Sequence, residues 1–338
     1  MKIRRSIFGY GAGIFFLHVL GVLLLISSIP YHPTLIGLAV LSYTFGLRHA
    51  FDADHIAAID NTVRKLRQES RDTTGIGFFF ALGHSTIVVI MTIVAVFALH
   101  FAQKSFPLLQ NIGGVVATIV SASFLFIIGF INLLVLNNLY QIFKTMKTQS
   151  LSEAEFEEIL NTRGFLARFV GPLFKLVTKS WNMYPIGFLF GLGFDSASEV
   201  ALLAISAGAA KSAISFTGII ALPILFSAGM SLMDTTDGVF MTVAYNWAFA
   251  TPIRKIYYNL TVTGLSVVVA LLIGCIEVAQ IIAPKFGLND GFWGWVQGID
   301  FGKIGYLLVG LFILTWGISY GIWKFYRIDQ RWSSNINS

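Results

Sequence analysis

Two imidazoles and two carboxylates fall within seven residues at His49-Ala50-Phe51-Asp52-Ala53-Asp54-His55, inside a stretch otherwise apolar enough to cross a membrane. An ionised group at the centre of a bilayer costs about 3 kcal/mol on insertion scales, so such groups are paired, face a wet cavity or hold a cation. His and Asp together offer the nitrogen and oxygen donors that suit a borderline divalent metal such as Ni²⁺ or Co²⁺. A hydrogen-bonded cluster that merely joins helices is the plainer alternative, but the density of ionisable groups favours a metal-ligand constellation.

On an unbroken helix at about 100° per residue, His49, Asp52, His55 and Asp60 share one face of roughly 140°, wide enough to line a cavity. Asp54 falls across the axis. It becomes a ligand only if the helix unwinds locally; otherwise it pairs with Arg48 or with another span. Further polar groups lie in other apolar runs. His84 sits in Gly83-His84-Ser85-Thr86, as an interhelical hydrogen bonder or as a ligand or gate. Asp195, Ser196, Ser198 and Glu199 form a second cluster, with Asp195 and Glu199 one helical turn apart. Asp234 and Asp237, beside Thr235 and Thr236, form a third. The spans offer only Arg48 as an intramembrane cation, so most of these carboxylates are neutral, hydrated or cation-bound. His18 is solitary and reads as structural, and Asn132 and Glu277 read as packing groups.

Apolar runs must carry these residues, and they are long. Of 338 residues 56% are hydrophobic and 12% charged, about half the charge of a soluble domain, which makes the chain an all-α polytopic membrane protein. The single cysteine, Cys275, permits no intrachain disulfide and no thiolate cluster. The first apolar run follows Lys2, Arg4 and Arg5 without a small-residue cleavage site and reads as a retained span. Eight runs long enough for about 30 Å of hydrocarbon lie at 7–29, 35–60, 76–102, 112–140, 182–209, 214–248, 256–283 and 302–326. An even number of spans places both ends on one side. Eighteen basic residues lie at the ends and loops of that side, against Lys104, Lys211, Lys285 and Lys303 opposite. By the positive-inside rule both termini are cytoplasmic. The same spread over every inner loop argues against nucleic-acid binding, which gathers charge in one patch. The inner loop 141–181 contains Ser152-Glu153-Ala154-Glu155, of capping-box form, which predicts a short cytoplasmic helix.

The chain also echoes itself. Phe45-Gly46-Leu47 recurs as Phe190-Gly191-Leu192, and Gly83-His84-Ser85 as Gly229-Met230-Ser231, at offsets of 145 and 146 residues. The expected architecture is therefore an inverted three-helix repeat, spans 1–3 and 4–6, followed by two extra helices in one transmembrane domain.

Four segments carry a family resemblance. Arg48-His49-Ala50-Phe51-Asp52-Ala53-Asp54-His55-Ile56 resembles the second-helix signature of the nickel/cobalt transporter family, with its H-x4-D-H core at His49, Asp54 and His55. Leu82-Gly83-His84-Ser85-Thr86 resembles the third-helix motif, and Leu192-Gly193-Phe194-Asp195-Ser196-Ala197-Ser198-Glu199 resembles LGxDTATE with Ser for both Thr. Gly229-Met230-Ser231-Leu232-Met233-Asp234-Thr235-Thr236-Asp237-Gly238 resembles GMxLxDTxDG. The resemblance implies a single-component permease of the bacterial cytoplasmic membrane that imports Ni²⁺, Co²⁺ or both, without catalysis, resident cofactor or obligate protein partner. It maps family function most directly onto His49, Asp54 and His55, and with Asp52 and His84 these are the expected metal residues. Asp60, Asp195, Ser198, Glu199, Asp234 and Asp237 are then expected to line the path or couple its conformations. Asp54 in that core calls for a distorted span 2 or for a role behind the ligands. Neutral imidazole is the binding form, so acid is expected to weaken uptake. The rival readings are export, transport of Zn²⁺ or Mn²⁺, and an intramembrane metalloenzyme.

Overall fold

The computed structural model describes residues 2–97, 99–148, 177–192, 197–211, 214–248 and 259–325, and among them the chain is helical with no strand. The α-helices are α1 (Lys2–Ser28), α2 (Leu35–His49), α3 (Ala53–Gln68), α4 (Ile76–Phe97), α5 (Leu99–Thr148), α6 (Met183–Phe190), α7 (Ala197–Lys211), α8 (Phe216–Ala248), α9 (Gly264–Lys285), α10 (Gly291–Gln297) and α11 (Phe301–Phe325). Five are long and apolar enough to cross a membrane: Ser6–Ser28, Ile76–Val94, Val115–Asn137, Phe216–Asn246 and Gly264–Lys285. They fall on the first, third, fourth, sixth and seventh expected spans, as a multi-pass membrane protein requires.

Two of the other three expected spans are divided. The run 35–60 is two helices, α2 and α3, each about 22–24 Å long and too short to cross alone. They part at Ala50-Phe51-Asp52, where Asp52 is extended at φ −64° and ψ 142°. The run 182–209 is likewise divided into α6 and α7, with 193–196 between them outside the described residues. The last run forms α11, a single helix of 25 residues, about 37 Å long at 1.5 Å per residue. Most of the loop 141–181, including the expected helix at 152–158, also lies outside the described residues; α5 continues helical to Thr148.

The divided helix α3 is the centre of the fold. Every residue from His55 to Leu66 is buried, enclosed by α5, α8, α9 and α11. A buried helix that carries Asp60, Asn61, Arg64 and Lys65 must satisfy each one internally. Asn132 of α5 donates to the Asn61 side chain at 2.9 Å, and the Lys65 ammonium donates to the Val177 carbonyl at 2.6 Å. His18 is structural, as its isolation predicted: its ring nitrogens meet the Ile14 carbonyl at 2.9 Å and the Tyr43 hydroxyl at 3.1 Å. Glu277 packs between α9 and α5, accepting the Ser121 hydroxyl at 2.7 Å.

Glycines set the closest crossings. A β-carbon on Gly46 would run into the Phe226 carbonyl, and one on Gly229 would lie 2.7 Å from the Tyr43 carbonyl, so α2 and α8 meet backbone to backbone. A β-carbon on Gly187 would run into the Phe80 carbonyl, and one on Gly83 into the Tyr184 carbonyl, which joins α4 to α6 in the same manner. Gly305 of α11 presses on the Phe51 carbonyl and so seats the last helix directly on the break.

Candidate metal centre

His49 ends α2 and His55 lies in the first turn of α3. The extended Asp52 between them turns the chain so that the two rings face each other, centroids 4.6 Å apart, instead of sitting 240° apart on one cylinder. His84, midway along α4, brings a third ring to 4.8 Å from His49 and 4.9 Å from His55. Exposures are 3%, 0% and 2%. Phe80, one turn before His84, sets its edge against His55 at 4.8 Å, and Phe226 lies 5.7 Å from His49. The three imidazoles are thus clamped by aromatic packing.

Each of the three offers one ligand nitrogen, and these lie within 4.8 Å of one another. Nε2 of His49 and Nε2 of His84 are 3.0 Å apart. With ligand nitrogens about 2.1 Å from an ion, neighbours at right angles lie about 3.0 Å apart and opposite ones about 4.2 Å. The 3.0 Å pair already has the spacing of neighbouring ligands, and the 4.8 Å limit exceeds the spacing of opposite ligands by about 0.6 Å. Glu199 of α7 adds an oxygen: Oε1 is 2.8 Å from Nε2 of His84 and 3.8 Å from Nε2 of His49. Nε2 of His55 and Nδ1 of His84 are buried and find no hydrogen-bond partner among the described residues. Orphaned imidazole nitrogens are costly unless something that accepts their lone pair or proton is bound.

The remaining expected residues are distributed around this centre. Oδ2 of Asp52 lies 2.8 Å from Nδ1 of His49, and the Ser198 hydroxyl lies 3.4 Å from the same nitrogen. Both oxygens of Asp234 face Nδ1 of His55, at 3.3 and 3.4 Å. Asp54 accepts the backbone N–H of His55 at 2.9 Å. The distortion that its spacing called for is present, and it serves to bring the histidines together. Asp195 lies outside the described residues. Asp237 lines a cavity of about 270 Å³ with Phe51, Met233, Met241 and Phe312, and its Oδ2 has no hydrogen-bond partner among the described residues.

Asp60 is not with the histidines. Its carboxylate pairs with Arg64 at 3.0 Å and accepts the hydroxyls of Tyr245 at 2.5 Å and Ser266 at 2.6 Å. The Arg64 guanidinium also bonds Tyr245 and Ser266 and stands 4.8 Å over the Tyr245 ring. Arg64, read from the sequence as a loop residue, lies in α3 and is 0% exposed, so it supplies a buried cationic partner for Asp60 that the sequence reading did not count. Arg48 instead pairs with Asp300 at 3.6 Å, both 38% exposed. The Asp60–Arg64 spacing of one helical turn was a readable signal. Tyr245 and Ser266, like Phe80 and Phe226, have no local signature.

The family model described as "High-affinity nickel-transport protein" matches residues 35–322. The "Nickel transporter NixA" of Staphylococcus aureus is 53% identical over 330 residues, covering 98% of each chain. The "High-affinity nickel-transport protein NixA" of Helicobacter pylori is 50% identical over 323 residues, 94% of this chain and 96% of its own. The "Cobalt transport protein NhlF" of Rhodococcus rhodochrous is 41% identical over 321 residues, 93% of this chain and 91% of its own. No solved structure matches the chain.

Proposed function

This chain belongs to the high-affinity nickel-transport family, and from that premise we propose that it imports Ni²⁺, and Co²⁺ as a second substrate, across the bacterial cytoplasmic membrane. The observation that carries the site is the convergence of His49, His55 and His84 where α2 breaks from α3. Ni²⁺ sheds part of its hydration shell and exchanges it for these imidazole nitrogens, with Glu199 adding an oxygen. An inside-negative potential favours entry of a divalent ion by about 4.6 kcal/mol per 100 mV, twice the single-charge figure.

We read the chain as an eight-span frame with cytoplasmic termini and a cytoplasmic 141–181 segment; the glycine crossings support an inverted repeat within it. Gly46 abuts Phe226, and Gly229 abuts Tyr43 and Leu47; Gly187 abuts Phe80, and Gly83 abuts Tyr184 and Phe188. One crossing maps onto the other by moving Phe80 and Gly83 forward 146 residues and Tyr43, Gly46 and Leu47 forward 141. The second offset differs by one helical turn from the 145 of the Phe-Gly-Leu echo. In this reading the first half supplies all three imidazoles, and the second supplies Glu199 and Asp234. Rocking one half against the other then parts carboxylates from imidazoles and lowers the affinity for release.

The test is metal entry into liposomes carrying the purified protein, with Ni²⁺, Co²⁺, Zn²⁺ and Mn²⁺ offered singly and in competition under a clamped inside-negative potential. Saturable Ni²⁺ entry, competed by Co²⁺, is the expected result. Entry of Zn²⁺ or Mn²⁺ without Ni²⁺ would overturn the assignment.

A further inference from the structure

Asp52 occupies the N-cap position of α3 with the extended backbone typical of that position, yet its side chain makes no capping hydrogen bond. A carboxylate there ordinarily accepts an N–H of the first turn. Here that bond is made by Asp54, which takes the N–H of His55 at 2.9 Å. Asp52 is thereby released to accept from Nδ1 of His49 at 2.8 Å, buried at 7% exposure. The substitution of one aspartate for another at the cap needs an explanation, and the histidine supplies it.

A neutral imidazole that donates through Nδ1 presents a bare lone pair at Nε2, on the far side of the ring. For His49 that atom faces Nε2 of His84. The arrangement recurs at His55: Asp234, from α8, stands at Nδ1 at 3.3 Å while Nε2 is buried and unpartnered among the described residues. The contact is longer than an ordinary hydrogen bond, so its hold is the weaker of the two.

Resting on the three-imidazole site proposed above, we infer that Asp52 and Asp234 are positioning residues and not ligands. They hold His49 and His55 by Nδ1, fix the tautomer, and aim both Nε2 atoms at the ion. Asp54 contributes by relieving Asp52 of capping.

The experiment is Ni²⁺ titration of the purified full-length protein, with Co²⁺ absorption spectra as a report on ligand identity. The variants are Asp52→Asn, Asp52→Ala, Asp234→Asn and Asp234→Ala, with His55→Ala as reference. Asparagine keeps a carbonyl that can accept from Nδ1 but is a poor replacement for a ligating carboxylate. Asparagine can also turn its N–H₂ toward Nδ1 and favour the other tautomer, so both asparagine variants should weaken Ni²⁺ binding no more than alanine does, and should keep the Co²⁺ band positions because the ligand set is unchanged. Alanine should weaken binding roughly 10–100-fold, more at Asp52 than at Asp234. Asparagine as damaging as alanine, with shifted Co²⁺ bands, would make the aspartates ligands. Alanine without effect would remove the positioning role. Where an alanine variant fails to fold, the asparagine spectra decide alone. Failure of wild type to bind Ni²⁺, or binding unaffected in His55→Ala, would instead remove the imidazole site and this inference with it.

Discussion

Asp60 and Arg64 form a fully buried ion pair, 3.0 Å apart and one turn apart on α3, closed by hydroxyls from α8 and α9. Removing one partner leaves an unpaired charge in the protein interior, at a cost of about 3–5 kcal/mol, whereas removing both is often neutral. Arg64→Ala and Asp60→Ala should each lower the folded fraction sharply, as measured by detergent-solubilised yield and thermal transition. The double variant Asp60→Leu/Arg64→Met should recover most of it. A double variant as unstable as the singles would mean that the pair is not the source of the loss.

The paired glycine crossings make a separate prediction. Gly46→Val and Gly187→Val push a side chain into the carbonyls of Phe226 and Phe80 respectively, and each should abolish stable accumulation in the membrane. Gly37→Ala, where a β-carbon meets nothing within 4 Å, should accumulate as wild type. Equal tolerance at all three positions would contradict the backbone-to-backbone crossings.

Acid should weaken metal binding. Imidazole ligates only when neutral, and its ordinary pKa is about 6.5, so protons compete with Ni²⁺ as pH falls and the apparent affinity drops. Liposome uptake at a clamped potential should therefore need more Ni²⁺ for half-saturation at pH 5.5 than at pH 7.5. Indifference to pH across that range would mean that none of the three imidazoles takes up a proton in the metal-free protein above pH 5.5.

The chemistry of the centre was more legible than its frame. His49, His55, His84, Glu199 and Asp234 stand out because ionisable groups in apolar runs have few uses, and the structure places all five around one point. The division of 35–60 was legible only as a conflict, through Asp54 on the wrong side of a helical wheel. Its site at Ala50-Phe51-Asp52 carries no Gly or Pro to announce it. Asp60 shares a face with the histidines on an unbroken helix, and the break removes it to a different cluster. Its partners Tyr245 and Ser266 are 185 and 206 residues away, a separation that local pattern does not reach. The burial of Arg64 follows from the enclosure of α3 by four other helices, which is a property of tertiary packing.

The central claim is that three imidazoles from α2, α3 and α4 carry the transported ion. Its most direct test is the initial rate of radiolabelled Ni²⁺ uptake into cells expressing the protein, for wild type and for His49→Ala, His55→Ala and His84→Ala at matched membrane abundance. The account predicts saturable uptake by wild type and a loss of roughly tenfold or more in every variant. Wild-type rates in any one of them would show that its imidazole does not hold the ion.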